Sequence, residues 1–87
     1  MDFMKRIIVD PKIMVGKPVI KGTRVPVDAI LQRIAEGMTF VEILQDYPNI
    51  TRDDIKAALE YSASLVRGDD IIPEIKGKYA ASGYSIN

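Results

Sequence analysis

The run Gly16-Lys-Pro-Val-Ile-Lys-Gly-Thr-Arg-Val-Pro-Val27 is the stretch that most restricts how this chain can fold. It combines two glycines, two prolines and three cations with short apolar pairs. Glycine opens backbone angles that other residues avoid, and proline fixes φ and removes a hydrogen-bond donor. The run therefore predicts a short strand, a tight turn and a helix start. Its cations, Lys17, Lys21 and Arg24, are placed to meet an anion such as a phosphate, although a polar turn with no ligand would carry similar residues.

Size and composition predict one small folded domain and exclude several kinds of site. The chain has 87 residues, of which 47% are hydrophobic and 28% charged, and this balance favours a packed core over disorder. It contains no cysteine and no histidine, which excludes disulfides, thiolate metal sites and histidine general bases. No stretch has the pattern of a membrane span or a signal peptide. We therefore expect a cytoplasmic protein without membrane contact.

Charge is unevenly distributed along the chain although its net value is zero. Residues 1–33 carry seven Lys and Arg against three Asp, whereas residues 34–60 carry two Lys and Arg against six Asp and Glu. A basic front and an acidic middle predict two different contact surfaces.

The spacing of apolar residues predicts a short β ribbon followed by a first helix. The runs Arg6–Val9 and Pro18–Ile20 are β-prone and end at turn residues, as the two strands of a small ribbon would. From Val27 to Met38 apolar residues recur at helical spacing, and Gly37 suits the end of that helix.

Two capping boxes predict the starts of a second and a third helix. Thr39 with Glu42 opens one helix, and Thr51 with Asp54 opens the next. The third helix ends at Gly68, and its predicted apolar stripe consists of Ile55, Ala58, Leu59, Ser62, Ala63 and Val66. The predicted fold class is thus mostly α, with three helices and an N-terminal β ribbon. The spacing fits both a helix-turn-helix and a plain small bundle.

Residues 69–87 form a C-terminal tail that we separate from the domain at residues 1–68. The tail has no sustained period, yet it carries more large apolar residues than a free linker usually does. Two interpretations stay open: the tail folds back on this domain or a second copy, or it stays loose until a partner orders it.

Five segments of the chain resemble the family known as domain of unknown function 433. In order, they are Ile8–Pro11, Gly16–Val27, Ala35–Thr39, Glu42–Pro48 and Ile55–Tyr61. The resemblance covers about residues 6–66, and its specific element is the block Lys-Pro-Val-Ile-Lys-Gly-Thr-Arg. The family often has a second glycine just before the Gly-Lys-Pro element, where this chain has Val15.

This resemblance implies both a fold and a function. It implies a homeodomain-like three-helix fold with a helix-turn-helix, and a VapB-type antitoxin whose gene often lies beside that of a PIN-like ribonuclease toxin. We therefore expect a non-catalytic antitoxin without a cofactor or metal, acting as a homodimer. It would neutralise the toxin and repress its own promoter by binding operator DNA. A protein–protein adaptor whose helix-turn-helix does not contact DNA is the alternative.

Two groups of residues are predicted to contact DNA. In a homeodomain-like fold the third helix usually enters the major groove, and here its early cations lie beside two carboxylates, Asp53 and Asp54, that would repel phosphates. We therefore expect the basic segment from Lys17 to Arg24 to hold phosphates better. The predicted DNA-binding residues are Lys17, Lys21, Thr23, Arg24, Arg52 and Lys56. Arg24 could instead pair with Asp28 or cap a helix, and capping the turn is the favoured role of Thr23.

The tail is the predicted toxin-binding element, because antitoxins commonly place a C-terminal segment in a groove of the toxin. The predicted anchors are Ile71, Ile72, Ile75, Tyr79 and Tyr84. An enzymatic role would need a carboxylate cluster, and Asp53-Asp54 and Asp69-Asp70 are the only dense pairs in the sequence. Adjacent helical residues point in different directions, so the first pair is a poor metal site.

Overall fold

The computed structural model describes residues 3–68 and the backbone of residues 74–75. Its helices are α1 (Val27–Ala35), α2 (Phe40–Asp46) and α3 (Arg52–Arg67), and its strands are β1 (Ile7–Val9), β2 (Pro18–Ile20) and β3 (Glu74–Ile75). A 3-10 turn at Phe3–Lys5 precedes β1 and packs against α3. The predicted fold class, three helices with an N-terminal β ribbon, is confirmed.

The ribbon gains a third strand that the sequence did not predict. β1 pairs antiparallel with β2, Ile8 lying opposite Val19, and β3 pairs parallel with β1 on the other side. The order across the sheet is therefore β2-β1-β3. Glu74 and Ile75 belong to the tail, so over these two residues the backbone returns to the domain.

One isoleucine from each of β1, β2, α1, α2 and α3 occupies the centre of the core. These residues, Ile7, Ile20, Ile30, Ile43 and Ile55, are each 1% exposed or less. A branched side chain of this size fully buried contributes about 1.5–3 kcal/mol. The core thus joins the ribbon to all three helices, and its buried members among the described residues lie between residues 7 and 61.

Both predicted capping boxes are confirmed. In the first, the Thr39 hydroxyl accepts from the Glu42 backbone N–H at 3.2 Å, and the Glu42 carboxylate accepts from the Thr39 N–H at 2.8 Å. Thr51 and Asp54 make the same exchange at 3.2 and 2.8 Å. Gly68 ends α3 in the left-handed conformation, with φ of 79°.

Asp54 also joins the start of α3 to the ribbon. Its second carboxylate oxygen accepts from Arg6 Nη1 at 3.0 Å, although Asp54 is only 7% exposed. The carbonyl of Arg6 accepts in turn from the Lys21 N–H at 2.8 Å, next to β2. One buried carboxylate therefore fixes both the start of a helix and the position of a strand.

The predicted apolar stripe of α3 is wrong at its C-terminal end. Ile55 and Ala58 are buried as expected, but Ala63 is exposed and Val66 is 89% exposed. The reason is the direction of the buried face, which continues through Tyr61 and Ser64, at 7% and 2% exposed, so that Ala63 and Val66 lie beside it. The Ser64 hydroxyl can be buried there because it donates to the Glu60 carbonyl at 2.9 Å.

The turn before β2 has a left-handed backbone at three successive residues. Met14, Val15 and Gly16 have φ of 50°, 55° and 79°. Only glycine adopts this conformation without steric cost, and a β-branched residue is among the least suited to it. Val15, which stands where the resembling family often has glycine, is 95% exposed and gains little from packing.

Replacing Asp54 with alanine is expected to lower the free energy of unfolding by about 2 kcal/mol. The change removes the cap of α3 and leaves Arg6 without its closer partner. Urea unfolding followed by circular dichroism measures the loss. Asp53→Ala is the matched control, because Asp53 is exposed and lies 3.6 Å from Arg6, and it should cost less than about 0.5 kcal/mol. Equal losses in the two variants would contradict the role given to Asp54.

Replacing Val15 with glycine is expected to raise the free energy of unfolding by about 1 kcal/mol, because glycine relieves the left-handed strain. Thermal and urea unfolding both measure the gain. Val15→Ala keeps a Cβ atom and should change stability by less than about 0.5 kcal/mol. A glycine variant no more stable than the alanine variant would show that the turn is unstrained.

Candidate nucleic-acid interface

The turn between β2 and α1 is closed by its own side chain. The Thr23 hydroxyl donates to the Ile20 carbonyl at 2.7 Å and accepts from the Val25 N–H at 3.0 Å. Gly22 supplies the positive φ of 80° that the turn requires. The favoured prediction for Thr23, a cap of this turn, is confirmed, and its contact with phosphate stays a prediction.

This turn forms one wall of an open cleft of about 690 Å³. The lining comes from β1, the loop after it, the β2–α1 turn and the turn between α2 and α3. The lining residues are Ile8, Asp10, Ile13, Lys21, Gly22, Thr23, Arg24 and Asn49. The cleft therefore places part of the basic segment beside the turn of the predicted helix-turn-helix.

The charged side chains of the cleft are two cations and one carboxylate. Lys21 and Arg24 are both exposed, and Asp10 uses one carboxylate oxygen to accept from the Lys12 N–H at 2.9 Å. Within the described part of the chain, Arg24 makes no ion pair and no side-chain hydrogen bond. The guanidinium of Arg24 thus has five donors available to an anion.

Lys17 lies outside the cleft and pairs with Asp28 at 3.0 Å. The ion pair to Asp28 that was the alternative for Arg24 is therefore made by Lys17 instead. Both partners are more than half exposed, so the pair contributes at most about 1 kcal/mol and leaves Lys17 able to exchange partners.

Arg52 and Lys56 are exposed on α3 and do not line the cleft. The Arg52 guanidinium lies 5.2 Å from the centre of the Phe40 ring, a cation–π contact between α3 and α2. The structure thus brings Lys21, Thr23 and Arg24 together in one cleft, while the other three predicted DNA-binding residues lie elsewhere.

Arg6 changes the electrostatics expected at the start of α3. It lies 3.0 Å from a carboxylate oxygen of Asp54 and 3.6 Å from one of Asp53. The two carboxylates that would repel phosphates are thus partly neutralised by a residue of the ribbon. Sequence reasoning missed this pairing because 48 positions separate Arg6 from Asp54.

Arg33 has a structural role between α1 and α2. It forms an ion pair with Asp46, donates from Nε to the Tyr47 hydroxyl at 3.3 Å, and lies 4.8 Å from the centre of the Tyr47 ring. The hydrogen bond with Tyr47 raises the pKa of Arg33 above its ordinary value. These contacts join the two helices, and they give Arg33, one of the cations of residues 1–33, a partner within the domain.

The predicted toxin-binding residues fall almost entirely outside the described residues. Ile71, Ile72, Tyr79 and Tyr84 lie outside them, and Ile75 is described only by its backbone in β3. Within the described ranges, none of the helices combines the length and the apolar character needed to cross a bilayer.

Comparison with known proteins gives two relatives of undescribed activity. An uncharacterized protein of Archaeoglobus fulgidus is 77% identical over 26 residues, which are 30% of this chain and 72% of that protein. The uncharacterized protein y4eO of Sinorhizobium fredii is 36% identical over 59 residues, which are 67% of this chain. The chain spans only 27% of that second relative. No solved structure matches the chain.

The family match covers the ribbon, the cleft-forming turn and most of the helical part. Residues 7–62 match the family described as protein of unknown function (DUF433). The match includes every residue that lines the cleft and stops within α3. The chain therefore belongs to the DUF433 family.

Proposed function

We propose that this chain is the antitoxin of a toxin–antitoxin pair. It is a non-catalytic cytoplasmic homodimer that represses its own promoter by binding operator DNA and neutralises a PIN-like ribonuclease toxin. The observation that carries the DNA-binding part is the cleft, in which Lys21 and Arg24 lie beside the turn between α2 and α3. A cationic group at that turn can hold the backbone of a duplex while α3 faces its groove.

The cleft suits phosphate better than a base edge. Its cations belong to a glycine-containing turn that the Thr23 side chain closes. Phosphate contacts of this kind fix the position of a protein on DNA without reading its sequence. Sequence reading is assigned to α3, where Arg52 and Lys56 are exposed and Arg6 offsets the charge of Asp53 and Asp54.

The adaptor alternative is favoured by one specific observation. The first turn of α3 carries Asp53 and Asp54, and Asp53 remains 57% exposed by side chain despite Arg6. An exposed carboxylate at the position where a recognition helix meets DNA weakens phosphate binding. A chain that forms a protein complex but shifts no DNA at micromolar concentration is an adaptor.

Replacing Arg24 with alanine is expected to weaken binding to duplex DNA from the region upstream of the chain's own gene. Loss of one phosphate contact should reduce the slope of log K against log salt by about 0.9. Electrophoretic mobility shifts over a series of salt concentrations measure both effects. Lys5→Ala removes one charge from an exposed residue outside the cleft and is the matched control. Equal slopes of log K against log salt for the wild-type protein and the Arg24 variant would show that Arg24 does not contact phosphate.

A chain ending at Gly68 is expected to fold and to lose inhibition of the proposed PIN-like ribonuclease toxin. It retains all the buried core residues that the structure describes but lacks all the predicted toxin anchors. Circular dichroism checks the fold, and RNA cleavage by the co-expressed nuclease measures inhibition. Full inhibition by the shortened chain would place toxin binding on the domain instead of the tail.

A further inference from the structure

The two edges of the β1–β2 ribbon differ in how firmly they are closed to pairing with another strand. The outer side of β2 is closed by Pro26, which bridges to Val19, and by the hydrogen bond from the Ile20 N–H to the Val25 carbonyl at 2.9 Å. Prolines are a common means of blocking strand addition. The opposite side of β1 is covered over the described residues by β3, a strand of two residues.

β1 is held in place by several contacts besides those with β3. Ile7 and Ile8 are 0% and 5% exposed, β2 pairs with all three residues of β1, and Arg6 just before it is bound to Asp54. The side of β1 that β3 occupies is therefore a preformed acceptor for an extended segment running parallel to it. Two residue pairs alone make a weak attachment, so the segment paired there can exchange.

The C-terminal end of α3 carries apolar surface just before the segment that leads to β3. Leu65 and Val66 are 54% and 89% exposed. Nearby hydroxyls are already satisfied, since Ser62 donates to the Ala58 carbonyl at 2.8 Å and Ser64 to the Glu60 carbonyl at 2.9 Å. This helix end can therefore be covered by another apolar surface without leaving a serine hydroxyl unpaired.

We propose that Glu74–Ile75 pairs with β1 of a second copy, giving a strand-exchanged dimer in which the two α3 ends pack through Leu65 and Val66. Exchange keeps the parallel pairing of Ile8 with Glu74 and of Val9 with Ile75, made between chains instead of within one. The proposal rests on the homodimer of the proposed function and identifies its surface.

Chain length ties the strand exchange to the helix contact. Only residues 68–73 separate the end of α3 from β3, and six residues span at most about 20 Å. In the exchanged dimer the end of each α3 therefore lies within about 20 Å of β1 of the other chain. This distance allows the two α3 ends to meet, and their contact would cover the Leu65 and Val66 surface that one copy leaves exposed, which favours a second copy as the occupant.

Cysteine pairing tests the exchange directly, because the chain has no native cysteine. Val9→Cys and Ile75→Cys are introduced into separate full-length chains, which are mixed, unfolded, refolded together and oxidised. Strand exchange predicts a disulfide-linked dimer containing one chain of each kind, since Val9 and Ile75 are direct neighbours in the pairing. A mixture of Lys5→Cys and Ile75→Cys chains, treated in the same way, is the control and gives the amount of mixed dimer that forms by random collision.

The same chains supply the outcome that would overturn the proposal. Mixed dimers no more abundant than those of the Lys5 control exclude exchange. So does a chain carrying both V9C and I75C that oxidises only to a linked monomer. Neither measurement uses DNA or toxin, so a chain that shifts DNA but forms no mixed dimer refutes the exchange and leaves the proposed function standing.

A lysine at the α3 end tests the helix contact. Val66→Lys is expected to raise the dimer dissociation constant about tenfold or more, because the dimer buries this position in both chains. Analytical ultracentrifugation measures the constant, and circular dichroism confirms that the variant folds. Val41→Lys is the matched control, since Val41 is a 57% exposed valine on α2. Equal dissociation constants for the two variants would overturn the α3 contact.

Discussion

The arrangement of the whole domain depends on the carboxylate of Asp54. One oxygen accepts from the Thr51 N–H and starts α3, and the other binds Arg6 at the beginning of β1. A charge that is only 7% exposed is stable there because both oxygens have donors, one of them cationic. The helix that would face a partner and the strand that receives β3 are therefore positioned by the same side chain.

Several of the charges that make the sequence asymmetric are neutralised by ion pairs between different segments of the chain. The basic front supplies Arg6 to the carboxylates of α3 and Arg33 to Asp46, and within the front Lys17 pairs with Asp28. The two separate contact surfaces expected from that asymmetry are thus partly joined to each other. The cleft itself is lined by two exposed cations, Lys21 and Arg24, and by the single carboxylate of Asp10.

Local signals predicted most of the fold, and contacts between distant residues account for what they missed. The capping boxes of Thr39 and Thr51, the turn of Thr23 and the end of α3 at Gly68 each depend on residues within a few positions. The pairing of Arg6 with Asp54, the presence of Asn49 in the cleft and the addition of β3 depend on how separate elements pack. The apolar letters of α3 also do not give its buried face exactly, because that face includes the polar Ser64 and leaves Val66 outside it.

The closed turn at Thr23 has a consequence for how an anion would be captured. Its two hydrogen bonds and the left-handed Gly22 order the backbone beneath Lys21 and Arg24 before any ligand arrives. Capture then restricts only side-chain rotamers, and the entropy of ordering a loop has already been lost during folding. A preordered site of this kind gains affinity without adding contacts.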